Sequence, residues 1–489
     1  MPALSRRHLL QTAGGFALAA ASPAWAGPAI VQDWSSDIAI LRRAWETMHP
    51  GLYRYSTPDQ ISGRLDALAV EWSGPSAFRQ RFAALTRVTA SVRCGHTYPS
   101  PYNGGEAVRA LIYPDRSLVP FRFVWIDGRM VVTHDDSAEQ TLPRGTQIIA
   151  IDGLATSEIL AQLLPMARAD GASDAKRVSL MEVRGDDGYE TFDIHLPLIM
   201  PIRDRAVFSL RDGATVQAEL LTLAQRRANR TEAETVTEGG NPWSLKKDGD
   251  GIVRLTMPGW ALYDSAFDWQ TWLGGVMDDL TGDGARGLIV DLRGNEGGLD
   301  CGNIILSRLI QRDIPLSRNQ RFVRYRQAPE DLHPYLDTWD RSFLDWGEQA
   351  IGPDARGFYR LTRYDDGDAS TVIPALGRRY AGPVVVLCDA SNSSATFVFA
   401  QSVKDLGLAT LLGTTTGGNR RGINGGAFFF LRLPASGLEI DLPLIASFPG
   451  PDLPDAAIQP DIFVPATAAD IAAGLDPQMA AASALILNA

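Results

Sequence analysis

The chain has 489 residues, with 46 Lys and Arg against 57 Asp and Glu, and a formal charge of −11. That balance argues against a broad phosphate-binding surface and against nucleic acid as a partner. The length suits roughly two to four domains, and the 45% hydrophobic share gives ample material for their cores. Lys176, Lys246, Lys247 and Lys404 are the only lysines, so arginine carries nearly all of the positive charge.

Residues 1–26 read as an address. Ser5-Arg6-Arg7-His8-Leu9-Leu10 precedes an apolar, Ala-rich run to Ala21, and Ala24-Trp25-Ala26 offers a small-x-small cleavage site. The segment resembles a twin-arginine export signal, which implies a periplasmic or secreted protein. No later segment has the roughly 18 to 20 uninterrupted apolar residues that a membrane-spanning helix needs.

Residues 27–104 are predicted to be a helical domain, because Ile38, Leu41, Ala44 and Met48, then Leu65, Leu68, Phe78, Phe82 and Leu85, recur at helical spacing. His49-Pro50-Gly51 breaks the first helix. Residues 105–235 switch to short strands bounded by Gly, Asp and Pro, and the turn at Ile151-Asp152-Gly153 followed by a helix gives this β-rich accessory domain a PDZ-like look. Residues 236–250 read as a linker. From 251 to 489, nearly continuous apolar strands such as Gly287–Leu292 and Pro383–Cys388 alternate with amphipathic helices, which predicts an α/β core around a largely parallel sheet. Ligands sit at the carboxyl ends of such strands.

Two of those ends carry motifs. The run Asp291 to Gly298 (Asp-Leu-Arg-Gly-Asn-Glu-Gly-Gly) places adjacent glycines where backbone N–H groups can face an oxyanion; a Walker spacing is missing, so nucleotide binding is disfavoured. The run Cys388 to Thr396 brings Ser391, Ser393 and Ser394 to a strand-to-helix turn, where one serine would cap the helix and another could stand exposed as a nucleophile. His96, in Cys94-Gly95-His96-Thr97, is the candidate base, whereas His49, His134, His195 and His333 read as structural.

With Asp405-Leu-Gly407 and Gly413-Thr-Thr-Thr-Gly-Gly418, these motifs resemble the tail-specific (C-terminal-processing) protease and tricorn-core family. The upstream His49-Pro-Gly-Leu-Tyr53 and Gly-His96-Thr turns resemble its exported members. The resemblance implies a crotonase-like (ClpP/crotonase) α/β catalytic core, Ser394 as nucleophile, and an oxyanion hole from Ala395 and from Gly297 or Gly298. It calls for no metal or organic cofactor, and its substrate is a peptide or protein.

The lysine base of tail-specific members, about 25 residues after the serine, falls here on Asn419, and Arg420 and Arg421 stay protonated. Lys404 lies roughly 15 Å along the helix, so a Ser/Lys dyad is excluded and the histidine-dependent branch, with His96, is expected. Its acidic partner, a Glu before Pro-Asp in the family, has no match; Asp452 and Asp455 are the acids preceding Pro460-Asp461.

Cys94, Cys301 and Cys388 lack CxxC spacing, sit in apolar contexts and are disfavoured as nucleophiles. The Asp365-Asp366-Gly367-Asp368 cluster does not match a calcium loop. Two rivals stay open: a catalytically degenerate binding protein of the same fold, and an esterase or amidase.

Overall fold

The computed structural model describes residues 29–30, 32–102, 104–186, 188–201, 203–229, 240–282, 284–315, 320–365, 372–449 and 453–489. The expected leader and Asp452 lie outside the described residues, as does most of the acidic cluster that begins at Asp365.

The α/β core is built on a six-stranded sheet. In space its strands run Ile462–Phe463, Thr410–Gly413, Val384–Cys388, Gly287–Asp291, Ile252–Thr256 and Ser244–Lys247. Every neighbouring pair is parallel except the last, where Ser244–Lys247 runs antiparallel at the edge. Residues 244–247, expected within the linker, therefore close the sheet. Gly287–Asp291 and Val384–Cys388 are buried at every position, because helices cover both faces. Their register pairs Asp291 with Leu387, so the loops that follow the two strands leave the sheet side by side.

Residues 321–447 contribute a second, antiparallel sheet, in the order Leu336–Asp337, Asn424–Leu433, Leu438–Ser447, Arg321–Val323, Tyr359–Leu361 and Ala350–Ile351. The N-terminal helices Ser35–Met48, Pro58–Ser73 and Phe78–Ala90 form as their apolar spacing predicts, and Thr57 caps the second through a box with Gln60. They have no core of their own. Leu41, Trp45, Leu65 and Leu85 share one buried cluster with Val323, Phe429, Leu431 and Leu442, so the expected helical domain is one layer of a helix-on-sheet unit that reaches into the catalytic region.

The accessory unit is an antiparallel sheet of Phe121–Ile126, Arg129–Asp135, Gln147–Ile151, Arg205–Leu210 and Thr215–Glu219, with the helices Thr156–Leu163 and Thr191–Ile199 over its own apolar core. Asp127 and Gly128 both have positive φ, as a tight two-residue hairpin requires. No helix among the described residues is long and apolar enough to cross a membrane.

Candidate active site

The two loops at the carboxyl ends of the central strands are fastened together. Asn392 donates from Nδ2 to the carbonyls of Leu292 (2.6 Å) and Asn295 (3.1 Å). Thr396 Oγ1 donates to Asn295 O at 3.0 Å and Ser393 Oγ to Glu296 O at 3.2 Å, while the Gly294 N–H donates to Asp389 Oδ2 at 3.0 Å. Small polar side chains fill this seam because each satisfies a buried backbone group that has no strand partner.

Ser394 begins the helix Ser394–Asp405 with φ +51°. A left-handed backbone at a residue with a Cβ costs about 1–2 kcal/mol, and such strain persists only where the surroundings enforce it. Its neighbours' hydroxyls are engaged: Ser391 Oγ accepts from Arg184 Nη1 at 2.7 Å, and Ser393 Oγ holds Glu296 O. Among the described residues the Ser394 hydroxyl has no protein partner, so of the three serines it is the one left free. Ser393 has the N-cap position but makes no capping bond through its side chain.

Gly297 lies directly against this turn. A Cβ built on it would fall 2.8 Å from Ser393 O, 2.9 Å from Ala395 N and 2.9 Å from Ser394 Cβ. The Gly297 N–H donates to Asn295 Oδ1 at 2.8 Å, which removes it from the expected oxyanion donors. The N–H groups of Gly298 and Ala395 have no protein acceptor among the described residues. Gly298 itself packs on the Trp260 backbone, pinned by Trp260 N–H to Gly297 O at 3.2 Å.

His96 is held by its turn rather than by its ring. Residues 98–100 run alongside the strand Leu438–Ser447, with Ser100 N–H bonded to Glu439 O at 2.8 Å and Asp441 N–H to Tyr98 O at 3.0 Å. His49 accepts the Gly51 N–H on Nδ1 (3.1 Å), so its Nε2 carries the proton and donates to Thr97 Oγ1 at 2.8 Å. Burial, reinforced by Arg54, pushes His49 down to about 3 and keeps it neutral. Asn424 Nδ2 rests on Cys94 Sγ at 3.2 Å.

The imidazole of His96 lies beside Gly425 and Phe428; its Nδ1 is buried without a hydrogen-bond partner, and no hydrogen bond joins it to Ser394. Burial lowers its pKa, Asp170 opposes that, and the charges of Arg168, Glu296 and Lys176 also act on it. Glu296 and Lys176 flank the serine turn, so the imidazole and that turn share one electrostatic environment.

The acids differ from expectation. Asp455 is committed elsewhere: Oδ2 pairs with Arg93 at 2.7 Å, and Oδ1 accepts from the Ala172 N–H and Asn419 Nδ2, each at 2.8 Å. It fastens the 170–172 loop and does not orient the imidazole. Asp170 is the acid beside the His96 turn; it is buried, accepts the Gly95 N–H on Oδ1 at 2.9 Å, and is the leading opposite charge on His96.

Lys404, as anticipated, sits at the far end of its helix, paired with Asp461 at 2.6 Å. The lysine that does reach the serine turn is Lys176, from the accessory helix Asp174–Ser179. Its buried ammonium pairs with Glu296 and donates to Ser391 O at 3.2 Å. Burial lowers its pKa and Glu296 opposes that. Its Nζ is bonded to Glu296 and Ser391 O and makes no hydrogen bond to Ser394. Arg168 stands 4.0 Å from Glu296 and stacks on Tyr98 at 4.1 Å, and Arg184 lies 3.7 Å from Asp389. Burial would raise the Glu296 carboxyl, but Lys176, Arg168 and Arg184 hold it at about 2. No short motif joins residues 168, 176 and 184 to the 296 loop, so periodicity and spacing could not have shown this cluster.

Cys94, Cys301 and Cys388 are all buried and unpaired with one another. Burial pushes the first to about 11 and the other two to about 12, so none is a thiolate near neutral pH. Among the structurally read histidines, His195 is buried and pushed by burial to about 3, while His333 Nε2 lies 3.1 Å from Ala328 O.

Residues 251–429, which contain both loops and the serine turn, match the family model described as Peptidase family S41. Over that segment the chain is similar to peptidase family S41. The protein is accordingly a serine-type peptidase, and its substrates are peptides or proteins. Solved structures extend the likeness beyond the S41 core. Mature CPAF complexed with lactacystin superposes with a TM-score of 0.59 at 15% identity, covering 93% of this chain and 97% of that one. Another mature CPAF structure gives 0.57 at 16% identity, covering 90% and 94%. The photosystem II D1 C-terminal processing protease gives 0.39 at 16% identity, covering 88% and 93%. The CPAF likenesses show a shared fold across nearly the whole chain. A comparison with curated proteins finds no match.

Proposed function

We propose that the protein is an exported S41 peptidase in which Ser394 attacks the substrate carbonyl as His96 takes its proton. The N–H groups of Ala395 and Gly298 receive the oxyanion; the C–N bond then breaks as His96 returns the proton to the leaving amine, and water releases the acyl group. Asp170 supports the charged imidazole from beneath its turn. The imidazole closes on the serine when substrate fills the cleft, since such hydrogen bonds often tighten only in the substrate complex. What supports this reading most is the Ser394 geometry: a strained residue with a free hydroxyl at a helix N-terminus, facing Gly297 and beside an unbonded amide.

The pH profile tests the base. Neutral imidazole accepts the proton, so activity is lost as pH falls through the His96 pKa; because burial lowers that pKa, the acid limb of kcat/KM should lie below the ordinary 6.5. Lys176 disfavours the charged imidazole, so Lys176→Met should move the limb upward and, by loosening the bridge between loop and turn, lower kcat roughly ten- to a hundredfold. A wild-type limb above 6.5, or a Lys176→Met profile unmoved from wild type, would contradict His96 as base in this field.

Export rests on residues 1–26. With Arg6 and Arg7 both changed to lysine, cell fractionation should find the chain retained as a precursor in the cytoplasm; unchanged delivery to the periplasm would count against a twin-arginine route.

A further inference from the structure

We infer that an aromatic shelf beside His96 is a binding subsite for a bulky apolar side chain of an extended polypeptide substrate, close to the bond that is cut. The inference rests on the proposed Ser394 and His96 chemistry and adds a substrate preference to it. The shelf begins at the imidazole: the ring of Phe428 lies 5.8 Å from that of His96, and Trp339 lies 6.0 Å from Phe428 and 5.9 Å from Phe430. Phe343 meets Trp339 edge-on at 5.5 Å.

Strand alternation produces the shelf. In Asn424–Leu433 the side chain of Phe429 enters the core, while Phe428 and Phe430 face the other way and remain half-buried. An irregularity in the ladder between Gly425 and Phe428 re-aims this end of the strand beside His96. Trp339 is 61% exposed although three aromatic rings fix its position. A rigid, exposed indole costs little further side-chain entropy when it is covered, and covering it returns apolar area from water.

Two observations select the occupant. The charges nearest the shelf are matched among themselves, Asp340 with Arg363 at 2.8 Å and Asp337 with Arg432, so an apolar group fits better than an ionic one. The strand Leu336–Asp337 pairs only with Phe430 and Leu431. Gly51, Arg54 and Cys94 pack on Asn424, and His96 lies against Gly425; from Gly426 to Phe429 that edge has no strand beside it among the described residues, and an extended backbone can pair there next to the imidazole. Continuity with His96 through Phe428 places a group on the Phe428 end of the shelf about two residues along an extended chain from the imidazole, and one on Trp339 at most about four, given the ~3.3 Å advance per extended residue.

The test uses fluorogenic peptides varied at one position at a time around the cut bond, together with fluorophosphonate labelling of the same preparations. Wild-type enzyme should favour Phe, Trp or Leu over Ala or Asp at one position near the cut by about tenfold or more in kcat/KM. Trp339→Ala and the polar Trp339→Gln, both at an exposed site, should each reduce that ratio to about threefold or less. No preference in the wild type, or a preference equally strong in both variants, overturns the shelf. Labelling with no apolar preference overturns the shelf alone, whereas failure of the folded wild type to label overturns the serine chemistry on which it rests.

Discussion

Ser394→Ala is expected to lower kcat/KM by about 10⁴-fold or more, the scale on which loss of a nucleophile abolishes an acyl-enzyme route, while peptide binding and fold are kept. Among the described residues the hydroxyl has no protein partner to lose, so its removal leaves none of their buried groups unsatisfied. The small side chain of Ala also fits the same turn, although the φ of +51° remains strained for it. Thermal midpoints should therefore agree within a few degrees. Ser391→Ala and Ser393→Ala are the internal comparison: these hydroxyls bind Arg184 and the Glu296 carbonyl, so their loss should cost no more than about tenfold, through the seam. Steady-state turnover of one peptide by all three variants decides the matter. Equal losses at the three positions would mean that the turn is structural and that Ser394 has no special role.

The next largest effect is expected at Gly297. Its φ is +102°, and the added methyl of Gly297→Ala would be pressed against the Ser393 carbonyl, the Ala395 amide and Ser394 Cβ. These contacts are with backbone and a fixed Cβ, so no flexible side-chain end can yield. Either the glycine loop or the serine turn must move, and the methyl would occupy the space in front of the Ala395 N–H. Loss of an oxyanion donor costs about 10²–10³-fold, and Gly297→Ala should fall by about 10³-fold in kcat. Gly294→Ala separates crowding from backbone strain: Gly294 also has positive φ, +83°, but a methyl there meets nothing nearer than the Arg184 guanidinium at 3.8 Å. It should lose stability comparably and activity far less. If the two variants are equally active, the space beside Gly297 is not where the oxyanion forms.

Much of the catalytic core was legible in the sequence because its signals are local. Apolar runs such as Val384–Cys388 announce buried parallel strands, and the glycines and serines at their ends are contiguous in sequence. The antiparallel sheet was not, since its strands are short and scattered between residues 321 and 447, and its longest members derive their burial from helices some 350 residues earlier in the chain. The same distance hid Asp170 and Lys176. Each looks like an ordinary charged loop or helix residue until the accessory unit folds against the core. Asp455 misled for the opposite reason: its position before Pro460-Asp461 suits a catalytic acid, but Arg93 and Asn419 claim its oxygens. Lys404 lies at the far end of the serine's helix, as its spacing implies, whereas Lys176 comes from far upstream of Ser394 and reaches the serine turn only through the fold.

Whether Ser394 is a nucleophile activated from within this cleft is decided by where a fluorophosphonate attaches. After reaction of the enzyme, peptide mapping by mass spectrometry should find a single phosphonyl adduct on Ser394, formed at least tenfold more slowly in His96→Ala. An adduct on another residue, or folded enzyme that stays unmodified, would contradict that role.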